Sequence, residues 1–153
     1  MVKVKGWCFL LLFLGFIFTF CMPTIAGDVL YRLTHNDQYS LVLGTVSQVK
    51  KEEITLAVSQ TLSGHWLWGK INIVNLPQSQ VKLKAGTKLL VSVNRLRGGV
   101  LGRGAPGRQY SVQWGLYRVS SLNRGTLRIL ESILAPGDRA ALERYIHSGG
   151  RDN

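Results

Sequence analysis

Four arginines, Arg95, Arg97, Arg103 and Arg108, stand among five glycines at positions 98, 99, 102, 104 and 107. Glycine leaves backbone N–H groups accessible and arginine offers a planar fork of donors. Such a run therefore suits gripping phosphate or carboxylate. Gly102-Arg103-Gly104-Ala105-Pro106-Gly107 also matches G-x-G-x-x-G letter for letter. A dinucleotide site needs that motif after a strand and at the head of a helix. Pro106 lies inside it, and the alternating residues beyond it read as a strand, which argues against that site. A stretch of about 15 residues without secondary structure is either functional or a plain solvated loop, and both readings stand.

Trp66 and Trp68 form a second candidate, in the run His65-Trp66-Leu67-Trp68. Two indoles at i and i+2 point the same way on an extended chain. On a surface they would stack on sugar rings or bases, or sit at a membrane interface. The plainer reading, and the preferred one, is that they cap one end of the fold, because large aromatics are largely buried.

The search for catalytic groups finds no convincing set. Of the carboxylates, only Glu52 and Glu53 are close in sequence, and adjacent residues in a turn point apart. Glycoside hydrolysis needs two carboxylates flanking one bond. His35, His65 and His147 share no metal-ligand spacing. His147, near the end of an expected helix, reads as a charge–dipole contact, and His35-Asn36-Asp37 as a local turn. No G-x-S-x-G elbow or S-x-x-K motif is present. The expectation is a non-enzymatic protein with no catalytic residue, no cofactor and no metal site.

The elements that must carry these residues are mostly strands. Tyr39–Val49 is a long strand interrupted by Gly44, where a bend is expected. A polar turn, 50–53, leads to Ile54–Leu62, with Ile54, Leu56 and Val58 on one side. Lys70–Leu76 is a third strand, Val81–Lys84 alternates briefly, and Lys88–Val93 follows with Leu89, Val91 and Val93 on one face. After the arginine–glycine run, Tyr110, Val112 and Trp114 mark an inward face, with a bulge expected at Gly115 before Leu116–Ser121. Asn123-Arg124-Gly125 reads as a three-residue turn with glycine in the left-handed region, and Thr126–Leu130 as the last strand. Beyond Pro136-Gly137 the period becomes helical: Leu142, Tyr145 and Ile146 share a face, and Gly149-Gly150 ends it.

Val42-Leu43-Gly44-Thr45-Val46, Ile54-Thr55-Leu56-Ala57-Val58 and the run from Leu83 to Val91 with its Gly86 turn resemble the bent strand, hairpin and glycine turn of the OB-fold class. The resemblance covers Tyr39–Leu130. It implies a mainly β fold: a small antiparallel OB-like β-barrel with one C-terminal α-helix. It also implies that the loop between the fourth and fifth strands, the arginine–glycine run, is a ligand-binding edge. Fold alone names no function.

Residues 1–26 carry Lys3 and Lys5, then an apolar run from Gly6 without a charge, then Pro23-Thr24-Ile25-Ala26. A basic start, apolar middle and small residue at the cut read as an export signal, and cleavage after Ala26 fits best. An uncleaved anchor helix spanning 6–26 is the alternative, since about 20 apolar residues cross a bilayer. A lipid anchor on Cys21 is disfavoured by the bulky Phe18-Thr19-Phe20 before it. Both cysteines, Cys8 and Cys21, lie in this segment, so the remainder has neither disulfide nor thiol chemistry.

The expected organisation is a signal or anchor over 1–26, a connector over 27–36, a barrel over 37–134, and a helix with tail over 135–153. The net charge is +11, high for a chain with eight carboxylates. A basic exported domain suits anionic partners, and the plainer reading, that the charge serves solubility in a basic host proteome, stands equally beside it. The sequence therefore leads to an extracytoplasmic barrel, secreted or membrane-anchored, that binds an anionic envelope polymer or lipid headgroups, with nucleic acid disfavoured. Arg95, Arg97, Arg103, Arg108, Trp66 and Trp68 are its candidate ligand residues. The alternative is an assembly component packed on an envelope protein.

Overall fold

A computed structural model describes residues 29–35, 37–76, 81–96, 109–134 and 139–149. The expected signal or anchor over 1–26 lies outside them, and among the described residues no helix is long and apolar enough to cross a membrane. The elements are α1 (Val29–Thr34), β1 (Ser40–Val49), β2 (Glu53–Gly64), β3 (Gly69–Val74), β4 (Lys88–Arg95), β5 (Gln109–Val119), β6 (Ile129–Leu134) and α2 (Arg139–His147).

β1 holds the sheet together because it pairs antiparallel with both β2 and β4. Its ladder with β2 is broken by register shifts at Leu41/Val42, Leu43/Gly44 and Val46/Gln48, so the strand coils rather than lying flat. Gly44 permits the tightest part of that coil. A Cβ there would stand 2.6 Å from the Ala57 carbonyl oxygen and 2.8 Å from Leu56 Cγ. β2 continues into β3, β4 into β5, and β3 then meets β5 through Asn72–Val74 and Gln109–Ser111. The circuit β1-β2-β3-β5-β4-β1 is a closed five-strand barrel of OB-like order, with β6 added along β5. One part of the expectation needs correction: the barrel is not wholly antiparallel, since the closing pair β3–β5 is parallel.

Two apolar cores explain why β1 and β4 read as nearly continuous hydrophobic runs, for strands buried on both faces lose polar alternation. Val42, Val46, Leu89, Val91 and Val93 fill the barrel with Ile54, Leu56 and Ile73. Leu41, Leu43 and Leu90 point the other way, into a second core with Tyr117, Val29 and Leu33 of α1, and Leu142 and Ile146 of α2. Each fully buried leucine contributes roughly 2 kcal/mol of transfer free energy. The connector over 27–36 therefore includes a helix that packs on the outside of the barrel.

Three local expectations are revised. Val81–Lys84 keeps its alternation, with Val81 and Leu83 buried, but joins no ladder. The last strand starts at Ile129 rather than Thr126, after a longer connection. In that connection Gly125 does not take a positive φ. The turn is instead built by Asn123, whose Oδ1 accepts from Gly125 N at 2.9 Å while its carbonyl accepts from Thr126 N at 3.1 Å. The bulge expected at Gly115 is present as a break in the β4–β5 register, where Val91 faces Leu116 and Val93 faces Val112. Tyr110 is buried in the barrel with Val112 against the same core, whereas the Trp114 side chain lies outside the described residues.

The open edge of β6 is covered by α2. Glu143 accepts a hydrogen bond from Ile129 N through its carboxylate, and Arg139 Nη1 donates to Leu130 O at 3.4 Å. Side chains thus occupy backbone groups that would otherwise template another strand.

Candidate functional site

The turn from β2 into β3 is built so that one residue points in and its two neighbours point out. Gly64 opens it at φ 81°, where a Cβ would lie 2.3 Å from the Tyr39 carbonyl oxygen, so only glycine fits. His65 N donates to the same carbonyl at 2.9 Å, and the His65 ring stacks on Tyr39 with centroids 4.2 Å apart. The Thr61 hydroxyl then makes a two-way clasp on Leu67, accepting from its N–H and donating to its carbonyl, both at 3.0 Å. Leu67 is driven into the barrel, 4% exposed, and Trp66 and Trp68 are left 69% and 59% exposed. The preferred reading of the tryptophans as a buried cap is thereby overturned: Leu67 does the capping, and the indoles flank it in solvent.

The register brings the rest of the site to this end. Ser40 faces both Gly64 and Val93, and Arg95 faces Tyr110. A cleft of about 240 Å³ results, lined by Tyr39, Trp66, Leu67, Trp68, Arg95 and Tyr110. Tyr39 and Tyr110 are tilted at 45° with centroids 5.9 Å apart and form its aromatic wall. The two exposed indoles can hold a ring by stacking while the Arg95 guanidinium meets an anionic substituent, with Tyr39 and the buried Tyr110 backing the cleft. Each such stacking contact contributes about 1 kcal/mol.

Three of the six candidate residues, Trp66, Trp68 and Arg95, are thus brought together. Arg97, Arg103 and Arg108 lie outside the described residues. Arg95 itself is the last residue of β4, not a loop residue. Tyr39 and Tyr110 carry no mark of a site in the sequence, where they are ordinary aromatics at the starts of strands, and only the β1–β4–β5 register places them beside Trp66.

The histidines take structural partners. His35 Nδ1 lies 2.8 Å from Tyr31 O, His65 Nδ1 lies 3.2 Å from Tyr39 O, and His147 Nε2 lies 2.8 Å from Leu127 O. Asp37 pairs with Arg32, Glu53 with Lys50 at 3.6 Å, and Glu131 with Arg118 at 3.1 Å. Among the described residues no three His, Cys, Asp or Glu side chains gather as a metal site. Neither any protein-family model nor any curated protein matches the chain.

Proposed function

We propose that the chain is a non-enzymatic binding module of the cell envelope, exported or tethered through residues 1–26, whose OB-like barrel holds an anionic ligand at the Trp66–Trp68–Arg95 cleft. The observation that carries this reading is the exposure of both indoles beside Arg95 at one end of a closed barrel. Burying an indole is strongly favourable, so two left in solvent around a shared cleft mark a surface that gains by being covered. The net charge of +11 supports an anionic partner. Arg97, Arg103 and Arg108 belong to the run that follows Arg95 and would add charge from the same connection.

The test is retention of the full chain, in zwitterionic detergent, on immobilised dextran sulfate. Retention should fall steeply with salt. It should weaken both when the four arginines become serine and when Trp66 and Trp68 become alanine, a change that leaves the charge intact. Retention that ignores salt, or survives both variants, would sink the reading. A stoichiometric protein co-purifying through the same indoles would favour the assembly role instead.

A further inference from the structure

The opposite end of the barrel carries a second concentration of cations that the aromatic cleft does not use. A groove of about 590 Å³ is lined there by Lys82, Lys84, Lys88 and Arg118, with Gly86 and Leu130 beside them. Among the described residues no carboxylate lines it. Glu131, beside it, pairs with Arg118 at 3.1 Å.

The lysines are held there by the fold. Val81 and Leu83 are buried in the barrel core, so the alternating Lys82 and Lys84 are turned to solvent. Lys82 sits at φ 46°, a left-handed conformation that a residue with a side chain adopts only when its surroundings impose it. The turn behind them is fixed: Thr87 Oγ1 donates to Lys84 O at 2.7 Å, and Gly86 N donates to Val46 O at 2.8 Å. Lys88 Nζ donates to Ser120 O at 3.3 Å, which draws the third ammonium to the same opening. Like charges gathered on a rigid frame repel, and a multivalent anion relieves that repulsion.

We propose that this groove binds a phosphate group. Three ammoniums act as point charges suited to a compact dianion, and the one planar fork, on Arg118, is already engaged by Glu131. The site is separate from the aromatic cleft. Lys88 and Arg95 are the two ends of β4, which places them about 23 Å apart at 3.3 Å per residue. The same phosphate chemistry can come from a lipid headgroup or from a soluble compound.

The experiment is an amide chemical-shift titration of the full chain in zwitterionic detergent micelles. One arm adds inorganic pyrophosphate, and the other replaces a fraction of the detergent by phosphatidylglycerol. Shifts centred on Gly86, Thr87, Lys88 and Arg118 are expected in at least one arm. Response to pyrophosphate alone identifies a soluble source, and response to the lipid alone a headgroup. Lys82→Gln with Lys84→Gln, both exposed, should weaken the response about tenfold with an unchanged melting curve. Trp66→Ala with Trp68→Ala should leave it intact, so failure here is distinct from failure of the cleft. No shift in either arm, or shifts that persist undiminished in the double lysine variant, would overturn the proposal.

Discussion

Arg124 Nε donates to the carbonyl oxygen of Ile146 at 2.6 Å, tying the β5–β6 connection to the last turn of α2. The final carbonyls of a helix lack intrahelical donors, and a cation there also meets the negative end of the helix dipole. His147 Nε2 at 2.8 Å from Leu127 O makes a second tie between the same two segments. Arg124→Ala should destabilise the fold by about 1.5 kcal/mol, the scale of a hydrogen bond from a charged donor. The measurement is the urea midpoint at constant m-value. Because the second core depends on α2, Leu142 and Ile146 should become more accessible to hydrogen exchange in the variant. An unchanged midpoint would mean that His147 and the apolar face suffice.

Gly64→Ala should be costlier. The new Cβ would fall 2.3 Å from Tyr39 O, in a left-handed backbone that alanine disfavours. Relief requires moving the start of β1 or reopening the β2–β3 turn, so a loss of about 3 kcal/mol is expected. Thermal unfolding measures it. Wild-type stability would show that the turn has a second low-energy geometry.

The barrel was legible in the sequence wherever one face of a strand was polar. Ile54, Leu56 and Val58 alternate cleanly, and Gly44 announces the bend because a strand interior has little other use for glycine. The parallel β3–β5 closure was not legible, because pairing between segments 37 residues apart in register, Asn72 with Gln109, leaves no local mark. Thr126–Leu130 has a strand-like pattern although β6 begins only at Ile129, since Leu127 is buried in the second core and imitates a strand position. At the site, residue type singled out the tryptophans, but their exposure was decided by Thr61, whose hydroxyl no periodicity can reveal. The lysine groove was hidden for a similar reason. Lys82, Lys84 and Lys88 look like an ordinary solvated edge until Arg118 arrives from β5.

Thr61→Val tests that hydroxyl. It keeps the shape and strand preference but removes both bonds to Leu67, leaving the Leu67 N–H and carbonyl to find water. A loss of about 1.5 kcal/mol is expected. Ligand retention should fall with it, because the clasp on the Leu67 N–H and carbonyl fixes the backbone that spaces the two indoles, and that clasp does not depend on the leucine side chain. Thr61→Ser, which retains the hydroxyl, should restore most of the retention. Equal retention in Val and Ser variants would separate the clasp from the cleft.

Glu143→Ala should expose the β6 edge. The carboxylate accepts from Ile129 N, and its loss frees a donor on a strand with Leu130 57% exposed beside it. Concentration-dependent association by sedimentation is the expected outcome, with little change in unfolding midpoint at low concentration. If the variant stays monomeric, Arg139 alone protects the edge.

Trp66, Leu67 and Trp68 are consecutive, yet the structure gives them opposite duties, and this permits a sharp separation. Leu67→Ala removes a side chain that is 4% exposed in the barrel core, and the cavity should cost about 3 kcal/mol. Trp66→Ala and Trp68→Ala remove surface that is already mostly in water, so stability should move by less than about 0.5 kcal/mol. Retention on a polyanion should show the reverse order where stability permits comparison, with each indole change lowering it and the leucine change sparing it below its melting temperature. The crossed pattern cannot arise from general destabilisation, since the most destabilised variant would be the better binder. If instead the indole variants unfold early, the tryptophans are structural after all and the cleft is not a binding surface.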